Sequence, residues 1–354
     1  MRINSRERIL SVLAGKKSDQ VPFDIWYTPE IKRMLMDHFR VSDEQQLWRI
    51  LKIDKIVMLD APYKDMPDAI HDSEGRTLSC NEWGSRILNV SHSSDGSYEE
   101  VVFYPLAEAE TIEELDAHTW PDPDQFDYHS LLDSCNRHDE WVRMLSFISL
   151  FEIYCKLRPM DLSLMDLYAE PELADHIIDK IFTIQKQYIE KAFEVCGDAI
   201  DVVYLSDDMG MQDRQLISVE VWQDRFGEQY RALIELIHSK GAYVLYHSDG
   251  AAFPIIEQMV ALGVDVINPI QHVCPGMECE HLIEAFGSRV AFHGAVENQQ
   301  VLPFGTPDEV VSEVRKNIKT LGAHGRYICA PCHNLQPGTP LENILALYRC
   351  DRSW

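Results

Sequence analysis

Long hydrophobic runs are missing from this chain. No segment approaches eighteen consecutive apolar residues, and the opening MRINSRERILSVLAGKK alternates charge where a secretory leader would carry an apolar core. A membrane span is therefore excluded, and a soluble, cytoplasmic protein is expected. Cysteine is sparse: nine residues, an odd number, suit free thiols better than a disulfide framework. Positive charge is also scarce. Lys and Arg number 32 against 58 Asp and Glu, for a formal charge of -26, so neither nucleic acid nor an anionic membrane is expected as a partner. There is no Walker A sequence and no GxGxxG after the first predicted strand, which removes the usual signals for ATP and NAD. No linker or low-complexity tract divides the chain, so residues 1–354 read as one domain.

What is present is a repeated alternation of short apolar runs with longer amphipathic segments. Eight runs are predicted as strands: 21–26, 55–59, 143–149, 199–206, 242–248, 264–270, 289–294 and 326–331. The helical patterns between the later runs each end near a glycine, which suits left-handed caps. Strand-helix repetition with strands apolar on both faces predicts an α/β fold, a (β/α)8 TIM barrel. An N-terminal helical extension, SRERILSVLAG, is expected with Ser5 as N-cap and a stripe at Ile9, Leu10 and Leu13. Residues 60–142 are less regular and read as an excursion after the second strand, with LSCNEWGSRILNVSH and YEEVVFYPLA forming a hairpin about a Gly-containing turn.

In a barrel, chemistry gathers at the C-terminal ends of the strands. That filter selects Asp207 and Asp208 after the fourth run, with Gln212 beyond them, and His247 and Asp249 at the fifth. It also selects Asn268 and Gln271 at the sixth, Glu297 after the seventh, and Cys332, His333 and Asn334 after the eighth. Asp207, His247, Asp249 and His333 are the catalytic candidates. Adjacent carboxylates at 207 and 208 point to opposite sides of an extended strand, so one of them faces the pocket while the other caps a helix or accepts loop N–H groups. His247 and Asp249 share a face, and His333, Cys332 or Glu297 can complete a site for zinc or another divalent metal; a metal-free pocket using His and Asp for proton transfer is the alternative. Asp208, Gln212, Asn268, Gln271 and Asn334 are candidates for holding a cofactor. Arg158, beside an apolar stretch, suits either an anionic substrate group or an internal salt bridge.

Taken together, SRERILSVLAGKKSDQVPFDIW, YLSDDMGMQ, HSDG followed by GVDVINPIQ, and CHNLQPGTPLENILALY resemble the uroporphyrinogen decarboxylase superfamily along almost the whole chain. The resemblance implies a (β/α)8 barrel, a homodimer, and one of two chemistries. One is metal-free decarboxylation of a tetrapyrrole's acetate side chains. The other is zinc-dependent methyl transfer between a corrinoid, as substrate or on a partner protein, and a thiol or other small acceptor. The decarboxylase branch carries an arginine-rich RQAGRY-like segment after the first strand, where this chain has WYTPEIKRM. His333 falls where that branch has a histidine before its TP dipeptide. In the methyltransferase branch a His-x-Cys on the fifth strand and a Cys near the eighth hold zinc, and here those positions are His247, Asp249 and His333, with Cys332 adjacent. The missing arginines make methyl transfer the expected function and decarboxylation the alternative.

Overall fold

A computed structural model describes residues 3–91 and 97–354. The chain opens with a helix, Ser5–Leu13, whose N-cap is Asn4 rather than the expected Ser5. Asn4 is the last extended residue, so its side chain is free to accept from the Glu7 amide at 2.7 Å, while its own amide donates to the Glu7 carboxylate at 2.9 Å. The helix turns Ile9, Val12 and Leu13 into the interior of the barrel and closes that end.

Eleven strands are found among the described residues: β1 (Ile56–Leu59), β2 (Ile70–His71), β3 (Thr77–Cys80), β4 (Arg86–Ser91), β5 (Ser97–Phe103), β6 (Val142–Ile148), β7 (Val202–Ser206), β8 (Tyr243–His247), β9 (Val266–Asn268), β10 (Ala291–Val296) and β11 (Tyr327–Pro331). Seven of them form one parallel sheet in the order β1-β6-β7-β8-β9-β10-β11. The segment expected as the first strand lies between the two edges. It pairs by isolated parallel bridges, Phe23 to Cys329 and Tyr27 to Leu335, and on the other side accepts from the Asp54 amide at 2.7 Å. Pro22 has no N–H to donate and serves only as acceptor, for Cys329 N at 2.9 Å, so the ladder stays fragmentary while the ring still closes.

Side chains alternate across the wall. Ile56, Val202, Tyr204, Leu245, Val266, Ala291 and Ile328 point inward with Trp26, while Val57, Val203, Leu205, Tyr246, Ile267 and Phe292 pack beneath the surrounding helices. This parity, carried two residues further, decides which polar groups reach the mouth. The glycines at helix ends behave less uniformly than expected. Gly263 closes Phe253–Leu262 in the left-handed region, at φ 111°, but Gly287 and Gly322 sit at φ -56° and -78° and continue the right-handed turn.

The excursion after β1 is larger than a hairpin, because β2, β3, β4 and β5 form a four-stranded antiparallel sheet. Its β4–β5 pair is the expected hairpin, and residues 92–96 of the turn lie outside the described residues. Arg158 ties the end of this insertion to the barrel. Its Nε donates to Asp166 Oδ2 at 2.5 Å, and its Nη1 donates to the carbonyls of Leu106 at 2.7 Å and Ala109 at 2.9 Å. The internal salt bridge, not an anion clamp, is therefore its role. No helix among the described residues is long and apolar enough to cross a membrane.

Candidate metal centre at the barrel mouth

His247 ends β8 on an inward position and is almost fully buried. Its ring lies 6.1 Å from Trp26 in a stacked arrangement and 5.5 Å from Tyr204. One ring nitrogen is occupied: Nδ1 lies 2.6 Å from Asn268 Oδ1. A polar chain runs on through the barrel interior from there. Asn268 Nδ2 donates to His293 Nδ1 at 2.7 Å, and His293 Nε2 donates to Asp24 Oδ2 at 3.0 Å. Asp24, wholly buried, also accepts from Trp26 Nε1, Lys55 Nζ and the amides of Ile25 and Ile56. Against the penalty of burial, Lys55 and His293 hold its carboxyl down at about 2.

The direction of each bond in this chain follows from its end. A carboxylate only accepts, so His293 donates through Nε2; in the neutral ring Nδ1 then accepts, and the amide turns its nitrogen to His293 and its oxygen to His247. His247 accordingly donates from Nδ1, and the lone pair of Nε2 faces the mouth.

Around that nitrogen stand further polar groups. Asp208 Oδ1 lies 3.6 Å from His247 Nε2, and His333 Nε2 lies 3.7 Å from Asp249 Oδ2. Ligand atoms of His247, Asp249 and His333 all fall within 4.8 Å of one another. Burial raises the carboxyl of Asp249 and lowers the imidazole of His333, so both are driven towards their neutral forms. The loops carrying Asp208 and Asp249 cross at Gly210 and Gly250. A Cβ on Gly210 would overlap the Asp249 carbonyl, and one on Gly250 would lie 2.5 Å from the Met211 carbonyl, so only glycine permits this approach. Gln271 braces the crossing by accepting from Gly250 N at 2.8 Å, and its Nε2 reaches Gln212 Oε1 at 3.5 Å. Asn334 follows His333, half-buried.

Three candidates are not part of this cluster. Asp207 has the opposite parity to Asp208 and points outward into the wall. There it accepts from Ser149 Oγ at 2.6 Å, Glu152 N at 2.8 Å and Tyr230 Oη, at the start of the helix Phe151–Leu157. Burial, with Glu152 close by, pushes its carboxyl up to about 7. Glu297 accepts from the amides of Gln299, Gln300 and Val301, each at 2.6 Å, which occupies its oxygens as a helix cap. Cys332 is buried beside the cluster, and burial pushes its thiol far above the usual range, so the thiolate a metal needs is disfavoured. Glu152 was not anticipated. It accepts from Ser206 Oγ at 2.8 Å, feels Asp208 and His247, and is raised by burial. Its position in a helix start carried no sequence signal, whereas Asp24, a carboxylate inside the apolar run VPFDIW, did.

A family model described as uroporphyrinogen decarboxylase (URO-D) matches residues 108–354. The chain belongs to the URO-D family. Two cyanobacterial relatives, both named uroporphyrinogen decarboxylase, align with parts of this URO-D chain. That of Synechococcus sp. (strain CC9902) is 32% identical over 135 residues, 37% of this chain and 36% of the relative. That of Parasynechococcus marenigrum (strain WH8102) is 29% identical over 191 residues, 52% of this chain and 49% of the relative. The chain thus spans about half the length, or less, of the curated relatives it matches. Among solved structures, a methyltransferase from Methanosarcina mazei superposes with a TM-score of 0.70, covering 98% of this chain and 97% of that one at 17% identity. The shared fold extends over 98% of the URO-D chain.

Proposed function

We propose that this URO-D family member is a divalent-metal-dependent methyltransferase acting between a corrinoid, carried by a partner protein, and a thiol or other small acceptor. One observation carries the reading: ligand atoms of His247, Asp249 and His333 lie within 4.8 Å of one another, with Asp208 Oδ1 3.6 Å from His247 Nε2. Two imidazoles and two carboxylates converging this closely share a cation, either a proton or a metal ion. Two imidazoles and a carboxylate, with one side open to the mouth, suit a catalytic metal such as zinc, and the absence of thiolate allows other divalent ions as well. A metal held there supplies Lewis acidity, lowering the pKa of an acceptor thiol. The chain's own part is to fix the ligands. Asn268 sets the His247 tautomer, Trp26 and Tyr204 wall the imidazole off from water, and the Gly210–Gly250 crossing holds Asp208 and Asp249 in place.

The names of the two cyanobacterial relatives favour a second reading, decarboxylation of a carboxylated tetrapyrrole. Two features weigh against it. Asp207, the carboxylate suited to a protonated pyrrole, is turned out of the lumen, and Arg158 is bound to Asp166. Zinc-loaded protein supplied with methylcobalamin and a panel of thiols is expected to form thioethers, with loss of that activity on His247→Ala. Turnover of uroporphyrinogen without any methyl transfer would reverse the order.

A further inference from the structure

Beside the C-terminal ends of β1 and β6 the inserted sheet roofs a cavity of about 530 Å³. Five aromatic side chains line it, Tyr63, Trp83, Phe126, Phe147 and Tyr188. Its charges are unbalanced: Asp60, Glu82 and Glu99 stand against Lys156 alone. That lysine is already engaged, with Nζ 3.9 Å from Glu152 and 4.7 Å above the Phe147 ring. Glu82 makes no ion pair within 4.0 Å among the described residues; burial raises its carboxyl, against a hydrogen bond from Trp83 and the more distant charge of Lys156.

The cavity adjoins the metal centre. Phe147 lies 6.1 Å from the Tyr204 ring, and Tyr204 lies 5.5 Å from His247. Glu152, facing Lys156 on one side, feels Asp208 and His247 on the other. Two aromatic rings, Phe147 and Tyr204, therefore stand between the cavity and His247 at the barrel mouth.

Aromatic faces and an excess of carboxylates over cations select a particular guest. Ring quadrupoles attract cations, most effectively those that shed water easily, and low-dielectric walls concentrate the field of the carboxylates. A tertiary or quaternary ammonium satisfies both at small desolvation cost, whereas a polycarboxylate is repelled.

We propose that this cavity binds a small organic cation, a tertiary or quaternary ammonium group, as one end of the substrate. Its other, reacting end extends to the His247–Asp249–His333 cluster; that destination rests on the metal reading, while the cation site itself does not.

Calorimetry on the metal-free full chain separates the two. Choline is the probe, with its uncharged carbon isostere 3,3-dimethyl-1-butanol and the polycarboxylate citrate as comparisons. Choline is expected to bind about tenfold more tightly than the isostere, with citrate not binding. Glu82→Gln, judged folded by near-UV circular dichroism, is expected to weaken choline about tenfold. The double variant His247→Ala/His333→Ala is expected to lose metal and keep its affinity for choline. Equal binding of choline and the isostere, tighter binding of citrate, no choline binding by folded wild type, or an unchanged Glu82→Gln affinity each overturns the cation site. Loss of the metal reading, with choline discrimination intact, would leave the cation site standing.

Discussion

At the scale of single residues, the account turns on one proton. His247 Nδ1 keeps it because the Asn268 amide offers oxygen, and that amide is oriented by His293 and ultimately by Asp24. Replacing Asn268 with Leu removes the constraint while leaving all three ligand side chains in place. Metal affinity, measured by competition with a chromophoric chelator, is expected to fall about 10- to 100-fold. His293→Gln retains an acceptor for Asn268 and a donor for Asp24, and is expected to bind metal within a fewfold of wild type; His293→Leu is expected to resemble Asn268→Leu. Equal affinities for the Gln and Leu variants would show that His293 acts only as packing. The sequence offered His247, Asp249 and Asn268 through their places at strand ends. It offered no pairing among them, because a hydrogen-bond chain linking residues 24, 268 and 293 depends on which strands become neighbours.

At the scale of elements, the end of β7 separates stability from function between adjacent aspartates. Inward Tyr204 and Ser206 are followed by inward Asp208, which leaves Asp207 buried in the wall under four donors. Asp207→Ala is expected to cost about 2–4 kcal/mol in denaturant unfolding and to leave metal affinity unchanged. The pH dependence has a defined sign. With a folded pKa of about 7, above the roughly 3.9 of an unfolded aspartate, this group contributes stability at low pH that is lost as pH rises towards 7. Thermal scans from pH 5 to 8 should therefore show a flatter decline in Tm for Asp207→Asn than for wild type. Only the opposition of the two was legible in VVYLSDD: the sequence places Asp207 among the catalytic candidates, and it is the inward packing of Tyr204 that selects Asp208 instead. Glu297 was less legible, since a carboxylate after a strand reads alike as ligand or cap until the three following amides are seen to fold back upon it. The excursion between β1 and β6 gave its one strong hairpin, but β2 and β3 are too short and too exposed for an alternation pattern to register.

At the scale of the whole molecule, eight apolar runs gave the barrel because both faces of its strands are buried, which writes the fold into composition as well as order. The N-terminal helix closes one end of that barrel with Ile9, Val12 and Leu13, and Arg6 pairs with Asp201 at 2.6 Å. Deleting residues 1–14 removes those three buried side chains and uncovers the barrel interior they close, and is expected to destabilise the fold by several kcal/mol, at about 1.5–3 kcal/mol for each. Cooperative unfolding with an unchanged denaturant midpoint would contradict that assignment. The opposite end carries the proposed metal centre, and its acidic, arginine-poor surroundings agree with the charge of -26 in disfavouring a polyanionic substrate.

Metal stoichiometry tests the central claim most directly. After removal of bound ions and equilibration with zinc, wild-type protein passed through a desalting column is expected to retain about one equivalent, and the folded His247→Ala/Asp249→Ala/His333→Ala variant close to none. Equal retention by the two proteins, or none by folded wild type, would contradict it.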